Sequence, residues 1–283
     1  MMKKSLFSLI AMIFFAMQVQ AQDLLFPEMP GMVSYTYRTS FSKDLPATLD
    51  TLQKMGITDM EFSNLFGHKA ADIKKELDKR GMHCSSYGVG YQDLVNKTAQ
   101  VAEDAKALGA KYVRVAWIPH TKPFTLEKAQ ETIEAFNTVG KVLKEEHGLT
   151  FCYHNHGYEF EPHGDGTLFD LMIQETNPEY VSFEMDILWT FFPGADPATL
   201  LKKYGDRFKL MHMKDLKKGV KGNMSGGTPT ENDVALGTGQ LDIRAIIKAA
   251  KEAGVEHFYL EDESPIYYKQ VPKSIEYLHS LKK

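Results

Sequence analysis

The sequence predicts a single (β/α)8 barrel, the TIM-barrel architecture of the α/β class, on three observations. Short β-rich runs alternate strictly with amphipathic helical stretches, eight of each, within about 250 residues. Several helical stretches are followed at once by glycine (Gly56, Gly81, Gly109, Gly254), the residue best suited to end a helix. The competing doubly wound sheet would usually show a Gly-rich phosphate turn after its first strand, and "YTYRTSFSKD" has none.

Residues 1–21 stand apart from this pattern. "MMKK" is a basic start, "SLFSLIAMIFFAM" an apolar run too short for a comfortable membrane span, and "VQA" before Gln22 a small-residue cleavage site. This reads as a secretory signal peptide, so the expected domain is 22–283 and the expected location periplasmic or secreted, without stable membrane insertion. No Cys follows the cleavage site to carry a lipid anchor.

The strand-like runs are "MVSYTYR" (32–38), "ITDMEFS" (57–63), "MHCSSYG" (82–88), "KYVRVAW" (111–117), "LTFCYHNH" (149–156), "YVSFEMD" (180–186), "FKLMHMK" (208–214) and "HFYLEDE" (257–263). They are rich in β-branched and aromatic residues. Between them, stretches such as "LPATLDTLQKM" and "LDIRAIIKAAKEAG" place apolar residues three and four apart, the period of a helix with one buried face. No linker or low-complexity tract divides the chain. Cys84 and Cys152 both lie inside apolar runs and are expected as buried free thiols. A net charge of -4 with no basic block argues against nucleic acid as a partner.

On this fold, polar side chains at the C-terminal ends of the strands are the functional candidates. Reading only those ends gives Glu61, then His154 and His156 with Glu159 just beyond, then Glu184 and Asp186, then His212, and finally Glu261 with Asp262 and Glu263. Residues two apart on a strand share a face, which pairs His154 with His156 and Glu184 with Asp186. Such a ring of carboxylates needs a counter-charge. One divalent ion meets that need, and the mixed His, Asp and Glu donors suit Mn, Co, Zn or Mg. Taken singly, each has a plainer reading: His212 as a core histidine, Asp186 as a helix cap, Arg114 as a partner for Glu61.

The stretches "FEMDILW", "KLMHMKD", "GTGQLDIRAII" and "HFYLEDE" resemble the sugar phosphate isomerase/epimerase superfamily, the xylose-isomerase-like barrels, over about residues 30–280. The resemblance implies one divalent metal held by Glu, Asp, His and Glu from strands five to eight. Asp186, His212 and Glu261 match the last three. At strand five many relatives read Glu-Asn-His-Gly, and this chain reads His154-Asn155-His156-Gly157. Either His154 replaces the glutamate as ligand or Glu159 reaches back to do so; His154 is the first choice.

The same resemblance implies a metal-dependent isomerase or epimerase acting on an unphosphorylated keto-sugar or cyclitol through an enediolate. Glu261 is the expected base, with His154 or His156 opposite it. An imidazole there suits a departing oxygen and gives the alternative, a dehydratase or a lyase of 3-keto-glycosides or inosose. A non-catalytic periplasmic sugar-binding barrel ranks below both. Glu61, Arg114, Trp117, Trp189 and Lys214 are the expected substrate contacts, and a homodimer is left open. The polar, Gly-rich segment 217–240 follows strand seven and is expected as a lid or as a disordered surface loop.

Overall fold

The computed structural model describes residues 24–283, so the expected leader of residues 1–21 lies outside the described residues. Eight parallel strands close into a barrel: β1 (Gly31–Val33), β2 (Asp59–Phe62), β3 (His83–Gly88), β4 (Tyr112–Val115), β5 (Thr150–His154), β6 (Val181–Asp186), β7 (Phe208–Met213) and β8 (His257–Leu260). Each strand pairs with its neighbours in chain order, and β1 closes the ring on β8 through Gly31↔Tyr259 and Met32↔Leu260.

The first strand is shorter than the alternation in "MVSYTYR" suggests. Residues Ser34–Tyr37 instead form a 3-10 turn. Ser34 Oγ accepts the Ser63 N–H at 2.8 Å, and Tyr37 packs edge-on against Tyr267 at 4.8 Å. Tertiary contacts at the barrel rim here override strand propensity.

The outer layer consists of α1 (Leu45–Lys54), α2 (Ala70–Asp78), α3 (Thr98–Leu108), α4 (Leu126–His147), α5 (Leu168–Glu175), α6 (Pro197–Tyr204), α7 (Ile243–Ala253) and α8 (Tyr267–Ser280). Their ends follow local chemistry. Asp44, Thr125, Asp196 and Asp242 each accept a backbone N–H in the first turn of the helix they precede. Gly254 closes α7 at φ +81°, a left-handed conformation costly for any residue with a Cβ. α7 shows the packing logic: Ile243, Ile246, Ile247 and Ala250 lie on one buried face.

The apolar residues divide into two groups. Most fill the space between strands and helices, while Val33, Tyr112, Cys152, Leu210 and Tyr259 plug the barrel itself. This plug leaves the C-terminal end of the barrel to polar side chains. Cys84 and Cys152 are buried and free. No helix among the described residues is long and apolar enough to cross a membrane.

Two features tie the chain at opposite ends of the barrel. Leu24 pairs with Lys282 and the Leu25 N–H donates to Leu281 O at 2.8 Å, tying the start of the described chain to its end. After β7, a two-stranded ladder of Asp215–Leu216 with Asp233–Val234 brackets the long loop. Asp215 then fixes the returning limb: its carboxylate accepts the N–H groups of Gly237 (3.0 Å), Gly239 (2.9 Å) and Leu241 (3.2 Å).

Candidate active site

Strand register brings the candidate residues together. His154 lies beside Glu184, and Asp186 beside His212. Just above the plug, Glu61 accepts hydrogen bonds from Arg114 Nη2 (2.5 Å), Ser86 Oγ (2.6 Å) and His212 Nε2 (2.7 Å). Arg114 Nε also lies 3.2 Å from Glu184 Oε2, so one guanidinium serves two buried carboxylates. Glu184 is 2.9 Å from His154 Nδ1 and 3.2 Å from His212 Nε2. At the level of the cavity, His212 Nδ1 meets Glu261 Oε2 at 2.7 Å, and His154 Nε2 lies 3.7 Å from Asp186 Oδ2.

Two overlapping groups have donor atoms close enough to share an ion: Asp186, His212 and Glu261, and His154, Glu184 and His212. The donors fit a divalent cation on an observation independent of any resemblance. Asp186 Oδ2 and Glu184 Oε1 are buried with no hydrogen-bond partner, a costly arrangement for a carboxylate that a cation relieves. Asp186 has a second task, since its Oδ1 accepts the Trp189 N–H at 2.9 Å and caps the short helix Ile187–Phe191.

The electrostatics are those of crowded charges. Burial raises the Glu184 carboxyl well above its usual range, and neighbouring Glu61 adds to the rise. Burial likewise lifts Asp186 to about 7. For Glu261 burial works in the same direction, but Lys214 and His212 overcome it and hold the carboxyl well below the normal range. The histidines divide. Burial would lower His212, yet Glu184, Glu61 and Glu261 push it well above its ordinary value. Burial, with His212 beside it, drives His154 well below.

Above the cluster opens a cavity of about 460 Å³, lined among others by Arg114, His154, His156, His212, Glu261 and Trp189. Segment 217–240 contributes Gly226, Gly227 and Thr228 to its wall, so it lies across the mouth. The loop fits closely there. A Cβ at Gly226 would stand 2.9 Å from a Tyr158 ring carbon, and one at Gly222 only 1.6 Å from the Phe192 carbonyl oxygen.

A family model of the xylose isomerase-like TIM barrel matches residues 49–281. The chain belongs to this family. Among curated proteins it is similar to inosose dehydratases, being 26% identical over 186 residues to that of Bacillus cereus (strain AH820). That match covers 58% of this chain and 61% of the relative, so the chain spans about three-fifths of that protein's length. A sugar phosphate isomerase/epimerase from Parabacteroides distasonis ATCC 8503 superimposes with a TM-score of 0.72 at 25% identity, covering 89% of this chain and 93% of the other. A zinc-bound structure of the IolI protein shares the fold, with a TM-score of 0.70 at 17% identity over 88% of this chain and 94% of that one.

Against this family background, the structure separates the expected residues. Asp186, His212 and Glu261 form one close group and His154, Glu184 and His212 a second that shares His212, so the strand-end carboxylate Glu184 belongs to the cluster. Glu159 does not join them, which corrects the reading that it reaches back to the ion. Its buried carboxylate accepts the Tyr153 hydroxyl and the His156 N–H (3.0 Å), because the turn at Gly157 (φ +90°) carries the chain away from the barrel axis. His156 remains in the cavity wall, stacked on Trp189 at 5.6 Å, with its buried Nδ1 unpartnered. Burial, then the Lys214 charge, lower its pKa to about 3.

Two expected substrate contacts are also corrected. Glu61 is fully buried beneath the cluster and bound to Arg114. Lys214, 2% exposed, is bound to Glu263 at 2.8 Å, with Asp233 at 3.6 Å, and so braces the rim from behind. Arg114, Trp117 and Trp189 do face the cavity.

The position of Glu159 has a measurable consequence. Burial raises its pKa from 4.5 to about 7, against the opposing hydrogen bonds from Tyr153 and His156. A carboxyl with a raised folded-state pKa favours folding below its unfolded pKa, and that contribution is lost as pH rises through the folded one. Glu159→Gln is neutral throughout. Its melting temperature should therefore gain on the wild type between pH 5 and pH 8, by an amount reflecting on the order of 3 kcal/mol. Melting curves whose separation does not change with pH would remove Glu159 from this role.

Proposed function

We propose that the chain is a divalent-metal-dependent lyase of the dehydratase type, acting on an unphosphorylated keto-sugar or cyclitol. The observation that carries this reading is the asymmetry of the cavity. Symmetrical epimerisation uses a carboxylate on each face of the reacting carbon. Here Glu261 stands at the end of β8, whereas β5 presents His154 and His156 to the cavity and turns Glu159 into the wall. The similarity to inosose dehydratases supports the same ranking, placing elimination above the isomerase or epimerase reading.

Asp186, His212 and Glu261 would hold a divalent ion, which would supply Lewis-acid stabilisation of the substrate carbonyl. Glu261, ionised at neutral pH, accepts the proton from the carbon next to that carbonyl. The bond from the following carbon to its oxygen breaks, and the oxygen leaves with the electron pair and takes up a proton from solvent water. His156 is neutral at pH 7 and lies in the cavity wall, where its ring N–H can hydrogen-bond that oxygen as it departs. Arg114 orients substrate oxygens from the cavity floor.

The test is to incubate metal-loaded protein with a panel of keto-sugars and inososes in D2O. Loss of water or an alcohol with an unsaturated ketone as product is the expected outcome. Deuterium incorporation next to the carbonyl with the carbon skeleton and all oxygens retained would restore the isomerase reading. We propose further that the protein works after export, on the strength of the basic, apolar and small-residue pattern in residues 1–21. N-terminal sequencing of the protein from cells should start at Gln22; a start at Met1 would reject export by this route.

A further inference from the structure

His156 reaches the cavity from the turn that follows β5. Its imidazole lies between two tryptophans, stacked on Trp189 at 5.6 Å and edge-on to Trp117 at 5.5 Å, and its Nδ1 is buried without a partner. Ring packing limits the tilt of the imidazole, but the backbone of the turn decides where the whole residue stands. Glu159 grips that backbone. Both of its carboxylate oxygens accept the His156 N–H, at 3.0 and 3.2 Å. The turn is tight on its other side too, since a Cβ at Gly157 would stand 2.8 Å from the Trp189 carbonyl oxygen.

Glu159 is itself held from behind the cavity. The Tyr153 hydroxyl donates to it and lies 3.1 Å from the Tyr158 hydroxyl, which accepts the Ile118 N–H at 2.8 Å. This chain of bonds runs from the end of β5 to the loop after β4, where Trp117 precedes Ile118. Glu159, Tyr153 and Tyr158 are all buried, and none of them lines the cavity. The counterweights to the burial of Glu159 are hydrogen bonds from Tyr153 and the backbone. An apolar side chain would fill the same space at lower cost. What the carboxylate secures is the position of the turn.

We propose that Glu159 is a positioning residue. Through the His156 N–H it sets the imidazole beside the departing oxygen, and through Tyr153 and Tyr158 it keeps the wall carrying Trp117 in register with it. This rests on the elimination reading, in which Glu261 takes the proton and His156 steadies the oxygen that leaves. A displaced His156 slows the second event and leaves the first to Glu261. The deprotonated substrate then returns to starting material more often than it goes on to product.

The test reads the two events against each other. Metal-loaded protein is incubated with 2-keto-myo-inositol in D2O, and the ratio of deuterium-exchanged substrate to unsaturated ketone is measured. Glu159→Gln keeps the shape of the side chain and should raise that ratio about tenfold, within the roughly 100-fold cost of a small misplacement at a reacting centre. Tyr153→Phe, which removes the bond behind the carboxylate, should move it in the same direction. Loss of folded protein lowers both products together and leaves the ratio where it was. In a His156→Ala background Glu159→Gln should add nothing, because it acts through the imidazole. An unchanged ratio, or the same rise with and without His156, overturns the proposal.

A second measurement does not depend on turnover. The ring nitrogen NMR signals of His156 in zinc-loaded protein, assigned by their absence from His156→Ala, should move in Glu159→Gln and in Tyr153→Phe. Signals that stay in place refute the positioning role. If the wild-type protein exchanges deuterium but forms no unsaturated ketone, the elimination reading fails, and moved signals still uphold the placement of His156 by Glu159.

Discussion

Replacing His212 with alanine is expected to weaken divalent-metal binding by more than about 100-fold, with Asp186→Ala close behind. His212 is the one residue common to both groups of potential ligands, and Asp186 contributes a buried oxygen with no other partner. Losing even an outer partner of a metal ligand typically costs 10–100-fold in affinity, so losing a ligand should cost at least as much. Metal analysis after dialysis, with calorimetric titration of Mn or Zn into chelator-treated protein, measures this directly. Glu159→Gln should retain a stoichiometric ion, because its carboxylate faces Tyr153 and the His156 N–H. His154→Glu should retain it too, since a carboxylate oxygen suits Mn or Mg. Full occupancy in both the His212 and Asp186 variants would refute the centre.

The second large effect concerns folding. Arg114→Met keeps most of the side-chain volume but leaves Glu61 and Glu184, both fully buried, without the guanidinium they share. Breaking one side of a buried ion pair costs about 3–5 kcal/mol, mainly through the stranded partner. Urea unfolding of metal-free protein should show a loss of that order at pH 8. Burial works against ionisation of Glu61, and Arg114 is the main group that holds its carboxyl well below the usual range. Without Arg114 its pKa must rise, and the deficit should shrink on acidification as the carboxyl is protonated. Glu61→Gln added to Arg114→Met should recover part of the loss, a non-additivity expected of directly bonded groups. An unchanged unfolding midpoint in the single variant would show that the network contributes little.

Much of this architecture is legible in the residues. Alternating strand and helix periods prescribe the barrel, and the ligand-type side chains at successive strand ends mark its candidate site. Asp186, His212 and Glu261 are readable because a strand fixes the direction of each side chain up to its last residue or the one after. Glu159 is not readable in this way. It follows a left-handed turn at Gly157, and spacing along the sequence says nothing of where such a turn sends the chain. Glu184 is readable as a strand-end carboxylate but its role is not, because that comes from His154 and Arg114, which reach it from β5 and β4. The burial of Lys214 depends on Asp233 and Glu263, brought together by the loop after β7 and the end of β8. The first strand is over-read because "SYTY" has strand composition and helical contacts.

The anchoring of the loop after β7 also bears on how this scaffold can change. Asp215 and the short ladder it begins hold both limbs where they leave the barrel, so residues 218–232 form an insert between two fixed posts. Lengthening such an insert costs little chain entropy, about 0.6 kcal/mol per doubling. Gly226, Gly227 and Thr228 meet the cavity from within it, while the candidate ligands below belong to the strand ends. Grafting a different sequence between those posts would reshape what the entrance admits and leave the chemistry beneath it in place. The fold thus lets diversification of substrate range proceed without renegotiating the stability of the barrel.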